Sequence, residues 1–495
     1  MSPTRAFVVR HGLPGLAGSG LIAIGALGVG WLPLQTNLLA NPLVDLLRGS
    51  SGGSLAARAF VFLGLAVLLQ SWLVLGSDLL DAHRPSMRPL GWVLAMWSAP
   101  LLLAPPMFSR DVYSYYVQGR LFEAGSDPTT MGVASIPGWF QDGADPMWAE
   151  APTPYGPAFL LIERTISSFA HPNAYLAAVL FRVASALGVV LLLVFVPRLA
   201  ELHGVDPARA TWLAVLNPLV LMHFVSGGHN DALMVGLLVT AFWLAATCRC
   251  IWGAVLVGCA FAVKPIAIIA LPFIGLLWAG AGAPWLGRLR AWALSILVFG
   301  VTVLCFYLAV DAGFGVLSAA FGTPSGVLTW LSPSTAIGQL IGYATTAIGV
   351  TADIGPAVLI VRALGSLAAL AIIVMLILRP GGRSPVRGAA LAICALVVLG
   401  PVIQPWYVLW FLPLFAVSGL SHRAMQVAVV ATAGFTVHGM VESSTTSDNF
   451  LDVTDGITFL VAMAIVALVA LASPRERRLL LGAATDRLQA ERMPT

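Results

Sequence analysis

Lys264 is the only lysine of the chain; the other 25 basic residues are arginines. It sits inside an apolar run, AVKPIAIIALPF at 262–273. Placing an ammonium within a bilayer costs roughly 2.5–3.5 kcal/mol on insertion scales, so a charge held there is a candidate to meet an anion. Two competing readings are a snorkelling stem and an internal pair with a carboxylate such as Asp231. A second concentration, FSRDVYSYYVQGR at 108–120, sets Arg110 and Asp111 beside Tyr113, Tyr115 and Tyr116 where an apolar run ends. A carboxylate at such a boundary can take a proton from a hydroxyl while staying near a lipid head group; Arg and Tyr there also serve as plain interfacial anchors. A third, GGHND at 227–231, brings an imidazole, an amide and a carboxylate together in His229, Asn230 and Asp231. His229 can hydrogen-bond a phosphate or orient a base, and Asn230 with Asp231 also suits a helix cap.

Smaller signals lie elsewhere. APTPYGP at 151–157 fixes Tyr155 in rigid turn chemistry. Gln404, Trp406 and Tyr407 in QPWY, and His438 in FTVH, end apolar runs; the aromatic rings suit either a sugar face or the aromatic belt of a membrane. Arg182 and Arg362 fall within apolar stretches and share the ambiguity of Lys264. No phosphate-binding loop, paired-histidine zinc motif or nucleophile elbow has a credible setting, so nucleotide-sugar chemistry is unsupported and no cofactor is expected. Asp142-Gly-Ala-Asp145 reads as a solvated loop, no metal site is expected, and the five cysteines suggest neither an external disulfide nor a metal cluster.

These groups need elements to position them, and composition says which. Of 495 residues, 59% are hydrophobic and only 10% charged, which excludes an ordinary soluble enzyme and predicts an all-α integral membrane protein. A net charge of +4 gives no reason to expect nucleic acid. Apolar lengths place spans near 15–34, 57–76, 88–107, 173–197, 208–226, 231–247, 251–264, 266–281, 291–310, 355–378, 388–403, 405–420, 424–440 and 456–473, about fourteen in all. The first is read as an uncleaved span rather than a secretory signal. With both termini cytoplasmic, eighteen arginines fall on the inner side and five in outer loops, as the positive-inside rule requires.

The same rule forces a hairpin at 251–281, because Arg249 and Arg288 must both be cytoplasmic. Each limb then reaches roughly 21–24 Å, short of a core near 30 Å, so its apex at Lys264-Pro265 should lie below the outer surface. Pro265 there breaks the helix and frees backbone groups that protein or water must satisfy. Residues 334–350 are expected to be re-entrant or interfacial, within a second external loop at 311–354. Residues 108–172 form the longest external segment, expected to hold interfacial helices, and 474–495 a cytoplasmic tail; the whole is a single polytopic domain.

Five segments carry a resemblance: FSRDVYSYYVQG at 108–119, APTPYGPAFLL at 151–161, LNPLVLMHFVSGGHNDALMVGLL at 216–238, AVKPIAIIALPF at 262–273 and QPWY at 404–407. Together they resemble the actinobacterial polyprenyl-phosphate-mannose-dependent α-1,6-mannosyltransferases, multispanning GT-C glycosyltransferases of lipomannan and lipoarabinomannan assembly. The resemblance implies a plasma-membrane enzyme with its site on the external face. It implies a polyprenyl phosphomannose donor, and the 6-hydroxyl of a lipid-anchored α-1,6-mannan primer as acceptor. The product is α-linked, so the anomeric centre inverts. Asp111 matches the essential early-loop acid of the family; Val112 and Tyr113 stand where the paired-acid form has a second one, which leaves divalent-metal dependence open.

On this reading Asp111 is the base, and Lys264 and His229 lead the donor-phosphate contacts, followed by Arg110, Arg182 and Arg362. Tyr113, Tyr116, Tyr155, Asn230, Asp231, Gln404, Trp406, Tyr407 and His438 are candidate contacts for sugar and primer. Two rivals remain: a related transferase with another polyprenyl phosphosugar or linkage, and a transporter or flippase of lipid-linked sugar. Transport predicts polar groups near the midplane of two related halves, whereas those here are skewed to one face.

Overall fold

A computed structural model of the chain describes residues 3–81, 87–310, 315–322 and 328–445. The expected span at 456–473 and the tail at 474–495 lie outside the described residues, as does Arg84 of the predicted inner set. The helices in chain order are α1 (Pro3–Val29), α2 (Pro42–Arg48), α3 (Ser51–Asp81), α4 (Met87–Leu103), α5 (Asp111–Glu123), α6 (Pro157–Ala170), α7 (Ala174–Leu202), α8 (Pro207–Ala214), α9 (Asp231–Ala246), α10 (Cys250–Val263), α11 (Leu271–Ala279), α12 (Trp285–Val310), α13 (Val316–Gly322), α14 (Pro333–Ala347), α15 (Gly355–Leu378), α16 (Pro385–Leu399), α17 (Val408–Val417) and α18 (His422–Thr445). No strand occurs among the described residues.

Five helical stretches are long and apolar enough to cross a bilayer: Thr4–Val29, Ser51–Leu79, Ala174–Leu202, Trp285–Val310 and Gly355–Leu378. A sixth arises if Val220–Ser226 and Asp231–Ala246, bent by 110°, count as one. Shorter apolar helices occur at Cys250–Val263, Pro265–Ala279, Pro385–Leu399 and Pro405–Val417.

Helix ends follow local chemistry. Asn173, Asp206, Ser332 and Ser384 each accept a backbone N–H of the first turn, and proline occupies an early position in α6, α8, α14 and α16, where its missing donor costs nothing. Packing relies on small residues, as expected where lipid tails compete with apolar side chains. A Cβ on Gly188 of α7 would meet Ala232 carbonyl atoms of α9 at 2.2 Å, and one on Gly64 of α3 would meet the Gly18 carbonyl of α1 at 2.5 Å. Trp72 of α3 and Trp212 of α8 stack at 5.0 Å and each donates its indole N–H to the other's backbone carbonyl.

One expectation changes. Residues 208–226 are not one helix: α8 stops at Ala214, and the chain resumes as a π-helical turn over Val220–Ser226. Pro218 cannot donate its backbone nitrogen, and the Asn217 amide bridges the break from the Leu213 carbonyl to the Val220 N–H. Within the 108–172 segment, ten of the thirteen α5 residues are buried. The region of the expected re-entrant segment is helical, as α14, and its Ser332, Ser334 and Thr335 hydroxyls hold the carbonyls of Gly400 and Pro401.

At Lys264 the backbone is extended (φ −146°, ψ 120°), between α10 and a 3-10 turn over Pro265–Ala270. The Pro272 carbonyl of α11 accepts the Trp292 indole in the second turn of α12, and Phe273 lies against Gly388 in the first turn of α16. Lys264 itself meets Asp231 at the head of α9. The chain therefore leaves the Asp231 end along α9, returns along α10, turns at Lys264 and leaves again along α11.

Candidate functional site

The site grows from the first turn of α5. Phe108 carries a positive φ of 67°, a strained backbone for a bulky residue, immediately before the functional segment. Ser109 then accepts the Asp111 backbone N–H at 3.1 Å, and Asp111 opens the helix. The loop after α5 folds back over this turn. Arg110 lies over Trp31 at 4.4 Å and donates to the carbonyls of Gly143 and Ala144 at 3.1 and 2.9 Å. Ser114 accepts the Asp145 backbone N–H at 3.1 Å. These clamps bring Trp148 to Asp111, with the indole N–H 3.3 Å from Oδ1.

On the other side of the carboxylate, His229 Nδ1 stands 3.2 Å from Oδ2, and its ring stacks on Trp406 at 3.9 Å. Burial pushes the Asp111 carboxyl up; His229, the Trp148 N–H and the more distant Lys264 charge together outweigh it and hold the group below the ordinary aspartate range. Asp111 is thus poised as a carboxylate, with 12% of its side chain exposed.

Gly228 makes the turn between the π segment and α9 possible. Its φ is +63°, and a Cβ there would lie 2.7 Å from Val112 Cγ1 and 3.1 Å from Arg182 Cγ. Gly228→Ala should therefore lower stability by about 2 kcal/mol or more, from left-handed strain plus overpacking. Thermal unfolding in detergent reads this directly, and an unchanged midpoint would show that the turn relaxes freely.

Lys264 is held by a second cluster. Its Nζ is 2.7 Å from Asp231 Oδ1, the same oxygen that accepts the Trp410 indole N–H at 2.6 Å. The rings of Tyr155, Tyr407 and Trp410 lie 5.7, 5.7 and 5.3 Å from the ammonium. Tyr155 reaches it because the Gly156 N–H bonds the Val263 carbonyl at the end of α10, a contact so close that a Cβ on Gly156 would meet the Ala262 carbonyl at 2.5 Å.

One cavity of about 460 Å³ holds both groups. Of the candidate residues, Asp111, Lys264, Arg110, Tyr155, Gln404, Trp406 and Tyr407 line it. Trp31, Asp145, Trp148 and His223 line it too, and sequence reasoning missed them. The missed set comes from loops and a π turn whose approach to α5 leaves no periodic signal. Asp142-Gly-Ala-Asp145, read as a solvated loop, is corrected: Asp142 is buried against Arg120, and Asp145 faces the cavity.

Other candidates lie behind the wall. His229 is fully buried beneath Trp406, and Asp231 serves Lys264 and Trp410. Tyr113 donates to the Trp31 carbonyl, and the Tyr116 hydroxyl pairs with His171; burial pushes the Tyr116 phenol up to about 12. Arg182 holds the carbonyls of Ser226 and Leu102, bracing the glycine turn, while Arg362 donates to Thr335 of α14. Asn230 is buried next to His229, and half-buried His438 is next to the cavity residue Gly439. Among the described residues, no group of three or more His, Cys, Asp or Glu side chains is arranged to hold a metal ion.

Residues 12–280 match the family described as "Alpha-(1->6)-mannopyranosyltransferase, N-terminal domain", and residues 334–473 match the "MptB C-terminal domain". A probable alpha-(1->6)-mannopyranosyltransferase of Mycolicibacterium smegmatis is 32% identical, over 86% of this chain and 82% of its own length. Alpha-(1->6)-mannopyranosyltransferase A of Mycobacterium tuberculosis is 38% identical over 53% of this chain and 51% of its own. Alpha-(1->6)-mannopyranosyltransferase B of Corynebacterium glutamicum is 28% identical over 85% and 74%. With matches that run from the first helix through both ends of the cavity, the chain belongs to the alpha-(1->6)-mannopyranosyltransferase family.

Proposed function

We propose that the protein is an inverting mannosyltransferase that moves mannose from a polyprenyl phosphomannose to the 6-hydroxyl of a lipid-anchored α-1,6-mannan primer, at the external face of the plasma membrane. The observation that carries this reading is that Asp111 and Lys264 line one cavity walled by Trp31, Trp148, Tyr155, Trp406 and Tyr407. Relatives named as alpha-(1->6)-mannopyranosyltransferases support the sugar and the linkage. The external location and cytoplasmic termini follow from the arginine distribution.

In the proposed reaction the acceptor O6 attacks the anomeric carbon from the face opposite the phosphate. Asp111 takes the O6 proton as the new C1–O6 bond forms. The C1–O bond to phosphate breaks, its electron pair stays on the phosphate oxygen, and the β-mannosyl donor gives an α-mannoside. A positioned carboxylate typically contributes about 10²–10⁴-fold. The leaving phosphate is already an anion and gains charge, so it needs positive charge and hydrogen-bond donors more than it needs a proton. Lys264 spends one N–H on Asp231 and keeps the others for that phosphate.

The test is purified protein given synthetic mannosyl phosphoryl polyprenol and a short α-1,6-mannoside. The expected product is the acceptor lengthened by one α-1,6-linked mannose. Transfer from an arabinosyl donor instead, or movement of labelled lipid across vesicles with no glycosidic bond formed, would overturn the reading.

A further inference from the structure

Contacts among the lining residues set them in an order. At one end Lys264 is set among Tyr155, Tyr407 and Trp410. Asp111 and the Trp148 indole that touches it lie in the middle, and Trp148 in turn neighbours Tyr155 at 6.1 Å. On the far side of Asp111 come Arg110, packed over Trp31, and Asp145. If the donor phosphate meets Lys264 and Asp111 deprotonates the acceptor, the transferred sugar occupies the stretch between them. The body of the acceptor then extends past Asp111 toward Asp145. Met147, which lines the cavity two residues from Asp145, is 47% exposed, so this side reaches the protein surface, as a chain of sugars requires.

Asp145 is built for this position. Its backbone N–H is held by Ser114, and its Oδ1 caps the short 3-10 turn at the Met147 N–H, 2.9 Å away. The neighbouring Arg110 is already committed to two backbone carbonyls, so it does not close onto the carboxylate as a tight pair. A carboxylate lining a cavity with capacity for further hydrogen bonds is an acceptor of hydroxyl protons, and charge-assisted bonds of this kind are roughly twice as strong as neutral ones.

We infer that Asp145 is an acceptor-binding residue, whose carboxylate receives secondary hydroxyls of the mannoside presenting its O6 to Asp111. This rests on the proposed transfer reaction for its orientation along the cavity. The Asp145 side of Asp111 is thereby the primer subsite, and the Lys264 side the donor subsite.

The experiment pairs equilibrium binding with kinetics. Methyl α-1,6-mannobioside is titrated into purified wild-type protein, Asp145→Asn and Asp145→Ala, with binding read by calorimetry. Asn can still cap the Met147 N–H while removing the charge, so it keeps the loop; matched thermal midpoints check this. The expected result is affinity for the mannobioside about tenfold weaker or more in both variants. In turnover, KM for the acceptor should rise in step, with KM for the mannosyl phospholipid within about twofold of wild type. A purely structural role would move both constants together. Mannobioside binding that is unchanged in the variants, or undetectable in the wild type, overturns the inference. Binding that depends on Asp145 in a protein that transfers no mannose would sink the proposed reaction while leaving a mannoside subsite in place.

Discussion

Asp111→Asn should reduce kcat by about 10²–10⁴-fold. The substitution keeps the shape of the side chain and an oxygen to accept the Trp148 N–H, but it removes the basic oxygen that faces His229. Because the proton is taken only as the new bond forms, the loss should appear in kcat more than in either KM. The environment also fixes a pH signature. Asp111 is held below the ordinary aspartate range, so its carboxylate persists to lower pH than in an unfolded chain. The acid limb of the wild-type kcat/KM profile that reports this group should accordingly lie below that range. The sign for stability agrees: this group's contribution is present above its unfolded pKa and is lost as pH falls through the folded one. An Asp111→Asn protein that folds and turns over at the wild-type rate would leave the proposed reaction without its base.

The second large effect is expected at Lys264, and it has two separable parts. Lys264→Met leaves Asp231, only 1% exposed, without its ammonium. Breaking one side of a buried ion pair costs about 3–5 kcal/mol, because an uncompensated charge stays behind. The single variant should therefore unfold at markedly lower temperature. Adding Asp231→Asn removes the stranded charge and can still accept the Trp410 N–H, so the double variant should regain most of the loss. Activity should not return with it, because the phosphate would still lack its cation. Rates at varied donor concentration, set beside thermal midpoints for the three proteins, separate the roles. If the stable double variant used donor as well as the wild type, Lys264 would be a structural ion-pair partner only, the alternative that its place in an apolar run left open.

How much of this was legible beforehand varies by residue. Lys264 stood out because an ammonium in an apolar run has to be matched by something, and its pair with Asp231 answers that demand alongside a place on the cavity wall. The break at Lys264-Pro265 was equally readable, since proline cannot continue the hydrogen-bond ladder. Asp145 was not: a Gly-Ala-Asp loop looks the same whether it is solvated or folded onto a helix. The missed π turn and the buried α5 belong with it, because both depend on what packs against them.

The sequence by itself determined a helical membrane protein, the turn at Lys264, and the segments that carry the family likeness, but not the break within 208–226. These are local or one-dimensional properties, set by hydropathy, proline and short-range spacing. Only the tertiary structure decided that Arg182 braces backbone carbonyls and Arg362 the Thr335 hydroxyl outside the cavity lining, that His229 lies beneath Trp406 against Asp111, and that a distant loop delivers Trp148 and Asp145. Those outcomes turn on contacts between residues far apart in the chain, where a few ångströms separate a wall from its support and no periodicity records the difference.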